Sequence, residues 1–148
     1  MKKTVLFFML FVPVAIYAQE TGCIDGDCED GKGTYIYANG YKYEGTFVKG
    51  LREGRGKLTD AEGGWYDGVW ANDQFNGQGT YIWPSGTKYT GEWKDGMQDG
   101  YGIYFYPNGD KYTGYFKNNK FNGKGTYTWA DGTTETGIFE NGELVKEE

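Results

Sequence analysis

The chain of 148 residues is acidic, with a net charge of −6, 19% aromatic residues, 26 glycines, two cysteines and no histidine. With Ser85 as its one serine and no histidine, it offers no serine–base pair for acyl transfer, and two cysteines alone cannot fill a structural zinc site. A negative chain also lacks the long-range positive field that gathers nucleic acid or anionic lipid.

Lys2 and Lys3 precede an apolar run from Val5 to Ala15, broken only by Pro13, and Ala18 places a small residue before Gln19. That layout predicts a secretory signal peptide over residues 1–18, too short for a comfortable membrane span. The expected location is therefore outside the cytoplasm, periplasmic or extracellular. Glu20 stands three places before Cys23, where a lipoprotein signal carries an apolar residue, so a lipidated cysteine is not expected. Cleavage removes two lysines and leaves 13 basic and 21 acidic residues, a net charge of −8.

Residues 19–30 are the expected N-terminal cap. Cys23 and Cys28 follow the signal, and an oxidising compartment predicts a disulfide that staples this opening turn. The acids Asp25, Asp27, Glu29 and Asp30 superficially suggest a calcium loop. The glycine falls one place late for that loop, however, and Ile36 sits where a bidentate Glu is needed, so a solvated turn is expected.

From Gly31 to Val145 a 23-residue unit recurs five times without insertion or deletion, as 31–53, 54–76, 77–99, 100–122 and 123–145, before an acidic tail at 146–148. A strict period of this length marks a chain that stacks one supersecondary unit on the next. Glycine fills four columns, represented in the third unit by Gly77, Gly79, Gly86 and Gly91, and these columns hold 20 of the 26 glycines. The third column ends Ala38-Asn39-Gly40, Pro84-Ser85-Gly86 and Pro107-Asn108-Gly109, which predicts a tight turn. Each unit thus reads as a β-hairpin, with strands near Thr34–Tyr37 and Lys42–Val48. The acidic or amide column Asp30, Glu53, Asn76, Asp99 and Asn122 is read as accepting a backbone N–H in a turn.

On the first strands, Tyr35/Tyr37, Tyr81/Trp83, Tyr104/Tyr106 and Tyr127/Trp129 lie two apart and share a face. On the second strands, Tyr43/Phe47, Tyr66/Trp70, Tyr89/Trp93 and Tyr112/Phe116 lie four apart across the fourth-column glycine, and Phe139 continues the series. Stacked units turn these into aromatic ladders whose burial is the expected main source of stability.

The pattern G-x-G-x-Y…G…Y-x-G-x-W/F at this spacing resembles the membrane occupation and recognition nexus (MORN) repeat. The resemblance covers Gly31–Val145, with Gly22–Asp30 as a capping half-repeat. It implies an all-β, elongated single-layer solenoid of tandem antiparallel hairpins, with about ten strands spanning roughly 50 Å. Leu58 and Asp60 replace the paired aromatics in the second unit, and Glu135 replaces the second-strand Tyr in the fifth, fitting a polar end unit.

The functional expectation is a non-catalytic exported scaffold for another protein, without cofactor or metal. Its candidate binding surface is Tyr43, Phe47, Tyr66, Trp70, Tyr89, Trp93, Tyr112, Phe116 and Phe139. The competing reading, favoured for most of these rings, has them pack on one another as core. A carbohydrate-binding module using the same ladder is the alternative. Weaker still is anionic phospholipid binding through Lys42, Lys88 and Lys111, which stand among Glu44, Asp67, Glu92 and Asp110.

Overall fold

The computed structural model describes residues 20–147; the expected signal peptide at 1–18 lies outside the described residues. Twelve strands form one sheet: β1 (Gly22–Gly26), β2 (Lys32–Ile36), β3 (Lys42–Val48), β4 (Leu51–Thr59), β5 (Trp65–Ala71) and β6 (Gln74–Ile82), then β7 (Lys88–Lys94), β8 (Met97–Phe105), β9 (Lys111–Lys117), β10 (Lys120–Thr128), β11 (Thr134–Glu140) and β12 (Glu143–Glu147). Their order in the sheet is their order in the chain, and neighbours are antiparallel. The fold is therefore all-β, a single open layer of consecutive hairpins. The two strands beyond the expected ten are β1, in the cap, and β12, which draws Lys146 and Glu147 of the expected tail into the sheet.

Two turn types alternate. At the third-column glycine the chain reverses through a wider loop, as where Trp83 N donates to Thr87 O at 2.9 Å and Gly86 N to Trp83 O at 2.9 Å. Near the end of each unit it reverses in two residues, Lys49-Gly50, Asn72-Asp73, Asp95-Gly96, Asn118-Asn119 and Asn141-Gly142, with φ positive at both positions. This is the type I′ geometry whose twist matches that of paired strands, and Asn, Asp and Gly tolerate it best. The sequence reading missed these second turns, although Asp95-Gly96 and Asn141-Gly142 are hairpin signals. The consequence is structural: Leu51-Arg52-Glu53 and their counterparts are the start of a nine-residue strand and not a linker.

Each long strand bends where it passes the first two glycine columns. Gly68 faces Gly79, but the next pair is Val69 with Asn76, so Gly77 and Gln78 bulge out of this ladder. Gly77 has φ 59°, a left-handed conformation that glycine adopts without cost. Two members of the turn-binding column, Asp30 and Glu53, find their partner in a neighbouring hairpin. Asp30 Oδ1 accepts Lys49 N and Glu53 Oε2 accepts Asn72 N, both at 2.9 Å.

Register places Tyr35, Tyr43, Leu58, Tyr66, Tyr81, Tyr89, Tyr104, Tyr112 and Tyr127 in one row on one face. The opposite face mixes polar and apolar side chains, including the exposed Tyr101–Tyr115 ring pair. It carries the Lys42–Glu44 ion pair, Thr80 bonded to Thr90, and Lys88 over Phe105.

Candidate functional site: an aromatic groove

All nine ring residues expected as a binding surface are buried, between 0% and 5% exposed. They form the core of this single layer, as the competing reading had it, and do not present a ligand face. The cause lies in the glycines. Tyr66 lies down over the Gly68–Gly79 pair, and a Cβ on Gly79 would meet its Cε2 at 2.6 Å. Its hydroxyl donates to Val69 O at 2.9 Å, and Tyr43, Tyr89 and Tyr112 repeat both the pose and the bond. The neighbouring ring then packs edge-on, Tyr66 to Trp70 at 5.3 Å and to Trp93 at 5.5 Å. The indole N–H groups of Trp70 and Trp93 are also taken, by Gly56 O and Gly79 O. With the ring flat, its hydroxyl bonded and its edges covered, no face remains for a ligand.

The first-strand rings have no such glycine bed and stand half-buried above this core. Tyr81, Trp83, Tyr104, Tyr106, Tyr127 and Trp129 follow one another at centroid distances of 4.5, 5.8, 4.8, 6.0 and 5.0 Å. Trp129 is 38% exposed at the end of the row. The sequence reading had placed these pairs on one face. It did not ask which strand's rings the glycines could cover, and that question separates core from surface.

Leu58 and Asp60 interrupt the row, and a different arrangement fills the gap. The Arg52 guanidinium lies 4.2 Å from the Trp70 ring centroid, with Tyr37 and Tyr43 within 6 Å. Its Nε donates to Asp73 Oδ1 and its Nη2 to Asp73 O, both at 2.9 Å. A concavity of about 440 Å³ opens beside it, walled by Tyr37 and Tyr41 over Phe75. A second, of about 460 Å³, lies between Trp83 and Tyr104 with Gln98 and Asn119 in its lining. A third continues past Tyr106 to Phe121 and Lys120. Together they form a groove along the aromatic face.

Beside the Arg52–Asp73 ion pair and Lys120, the groove carries a row of neutral tyrosine hydroxyls. Burial raises the hydroxyls of Tyr37, Tyr81, Tyr104 and Tyr106 above the usual phenol range. Tyr127 is pushed up to about 12, first by burial and then by its 2.8 Å bond to Asp110. At neutral pH all five therefore carry their protons.

At the N-terminal end, Cys23 and Cys28 are joined in a disulfide. The nearby acids make a turn: Asp27 Oδ1 accepts Glu29 N at 2.9 Å and Asp30 N at 3.0 Å, which lowers the carboxyl's pKa.

No curated protein matches the chain. The family model of the MORN repeat matches residues 29–40, 43–65, 66–88, 89–111 and 112–134, framed to begin near the second-strand tyrosine instead of the first glycine. Given that span and the tyrosine-over-glycine architecture it encloses, the chain belongs to the MORN repeat family.

Proposed function

We propose that this protein is an exported, non-catalytic scaffold that holds an extended segment of a partner protein along the aromatic groove. The observation that carries the reading is the row of half-buried rings from Tyr81 to Trp129, presented unit after unit above a dense ring core. Repeated equivalent sites suit multivalent contact with an extended chain. The charge supports a basic segment: the protein carries −6 overall, and Asp60, Asp73 and Asp110 act on the ring hydroxyls. The disulfide, together with the expected signal peptide, supports export.

The test is a crosslinked pull-down from cell-envelope extract with the full chain, beside a Trp83→Ala/Tyr106→Ala variant. The eluates are analysed for proteins, glycans and lipids. The expected result is one protein that is enriched by the native chain, lost with the variant, and bound directly when purified. Glycan without protein would move the chain to the carbohydrate-binding class, and retention of anionic vesicles alone would indicate a lipid surface.

A further inference from the structure

We infer that the groove reads a polyproline-II segment, a proline-rich stretch of the partner with basic residues between its prolines. The inference rests on the scaffold reading and adds the conformation and chemistry of the bound segment.

Pitch is the first argument. Each unit contributes two strands about 4.8 Å apart, so equivalent rings recur about every 9.6 Å along the groove. A polyproline-II helix has three residues per turn at a rise of 3.1 Å, so each of its faces recurs about every 9.3 Å. A β-strand repeats a face about every 6.7 Å and an α-helix every 5.4 Å, so neither keeps step with the units. Every third residue of a polyproline-II segment therefore meets an equivalent position, over the Trp83–Tyr104 pair and then over the Tyr106–Tyr127 pair.

Hydrogen bonding is the second. Among the described residues, the indole N–H of Trp83 and the hydroxyls of Tyr81, Tyr104 and Tyr106 donate no bond, whereas the buried Trp70 and Trp93 are both satisfied. Arg52 spends Nε and one Nη2 donor on Asp73, leaving three guanidinium N–H groups. Gln98 is 5% exposed and lines the second concavity. The lining thus offers free donors on its rings and on Arg52, beside the amides of Asn39, Gln74 and Asn119. A proline-rich segment presents solvated carbonyls and few N–H groups, which complements it, and its preformed conformation costs little entropy to bind.

Charge is the third. Arg52 and Asp73 neutralise each other, which leaves Asp60 beside Tyr81 and Asp110 beside Tyr106 against Lys120 at the far end of the groove. On a chain of net charge −6, the residues between the prolines are then best basic, facing outward into that field.

The test is selection of displayed random peptides of about twelve residues on the full chain, followed by affinity measurement. The expected result is enrichment of peptides with proline at every third position and Lys or Arg between. Trp83→Phe, which keeps a ring but removes the N–H, should weaken them roughly tenfold, with the melting curve as control for folding. Enriched peptides without proline periodicity, or affinity unmoved by Trp83→Phe, would overturn the inference while leaving the scaffold reading in place. No enriched peptide would overturn it as well; a failed pull-down would then remove the scaffold reading separately.

Discussion

Arg52 and Asp73 are bound through both main chain and side chain: Arg52 N donates to Asp73 Oδ1 at 2.8 Å and Asp73 N to Arg52 O at 3.1 Å, while the guanidinium adds its own two bonds. Two units later, Gln98 and Asn119 repeat the main-chain exchange without the charge, at 2.8 and 3.0 Å. Where arginine becomes glutamine, aspartate becomes asparagine. At these two junctions an amide or carboxylate oxygen serves equally well, and Asp73 and Asn119 tolerate φ of 66° and 65°, where the other three turns carry Gly50, Gly96 and Gly142.

The paired change Arg52→Gln/Asp73→Asn should therefore melt within about 1 kcal/mol of the native chain, since it copies a geometry the fold already uses. Asp73→Ala should cost more, about 2 kcal/mol, because it removes the acceptor from a backbone N–H and leaves a half-buried guanidinium partly unpaired. Urea unfolding of the two variants decides this. Equal loss in both would mean that the charge, and not the turn geometry, holds the junction.

Gly79 and Gly86 separate two reasons for glycine. A side chain at Gly79 collides with Tyr66, whereas Gly86 has open space but φ 86°. Gly79→Ala must displace a core ring and should cost about 3 kcal/mol or more. Gly86→Ala should cost about 1 kcal/mol from backbone strain alone. Thermal denaturation of the two variants tests the order; the reverse order would remove the tyrosine-over-glycine account of the core.

Those two glycines also show how far the sequence was readable. Its period and columns predicted the hairpins and its two cysteines the disulfide, because each is local or strictly periodic, whereas the single layer came from the resemblance to the MORN repeat. The function of the second and fourth glycine columns was only half legible. A glycine between two aromatics signals room for a ring, but which ring fills it depends on register across strands. That register sent Tyr43, Tyr66, Tyr89 and Tyr112 into the core and left Trp83 and Tyr106 at the surface. The two-residue turns were missed because Lys49-Gly50 and Asn72-Asp73 vary in sequence while keeping one backbone shape.

Trp70 and Trp83 should behave oppositely on truncation. Trp70 is 1% exposed with its indole N–H bonded to Gly56 O, and Trp70→Ala should cost about 3–5 kcal/mol. Trp83 is only partly buried beside Tyr81 and Tyr104, and Trp83→Ala should cost well under half of that, about 1–2 kcal/mol. Chemical denaturation of both variants checks the contrast. A Trp83 variant as unstable as the Trp70 variant would place the row in the core and disqualify it as a face for any partner.

The tyrosine core predicts how the protein fails in alkali. Burial pushes Tyr43 and Tyr112 up to about 12 and raises Tyr66 and Tyr89 as well, so the folded state keeps protons that an unfolded chain releases near pH 10. A folded pKa above the unfolded one stabilises fully below the unfolded value and is lost as pH rises toward the folded value. Each of these groups then removes about 1.4 kcal/mol per pH unit once pH passes 10, and four acting together make the decline steep. Circular dichroism and phenolate absorbance are recorded together from pH 8 to 12. The buried four should ionise only with a cooperative unfolding step between pH 10 and 12. Tyr66→Phe should make that step less steep by one proton. If every tyrosine titrates smoothly near pH 10 while the strand signal persists, the rings over the glycines are not sealed from water and the account of the core fails.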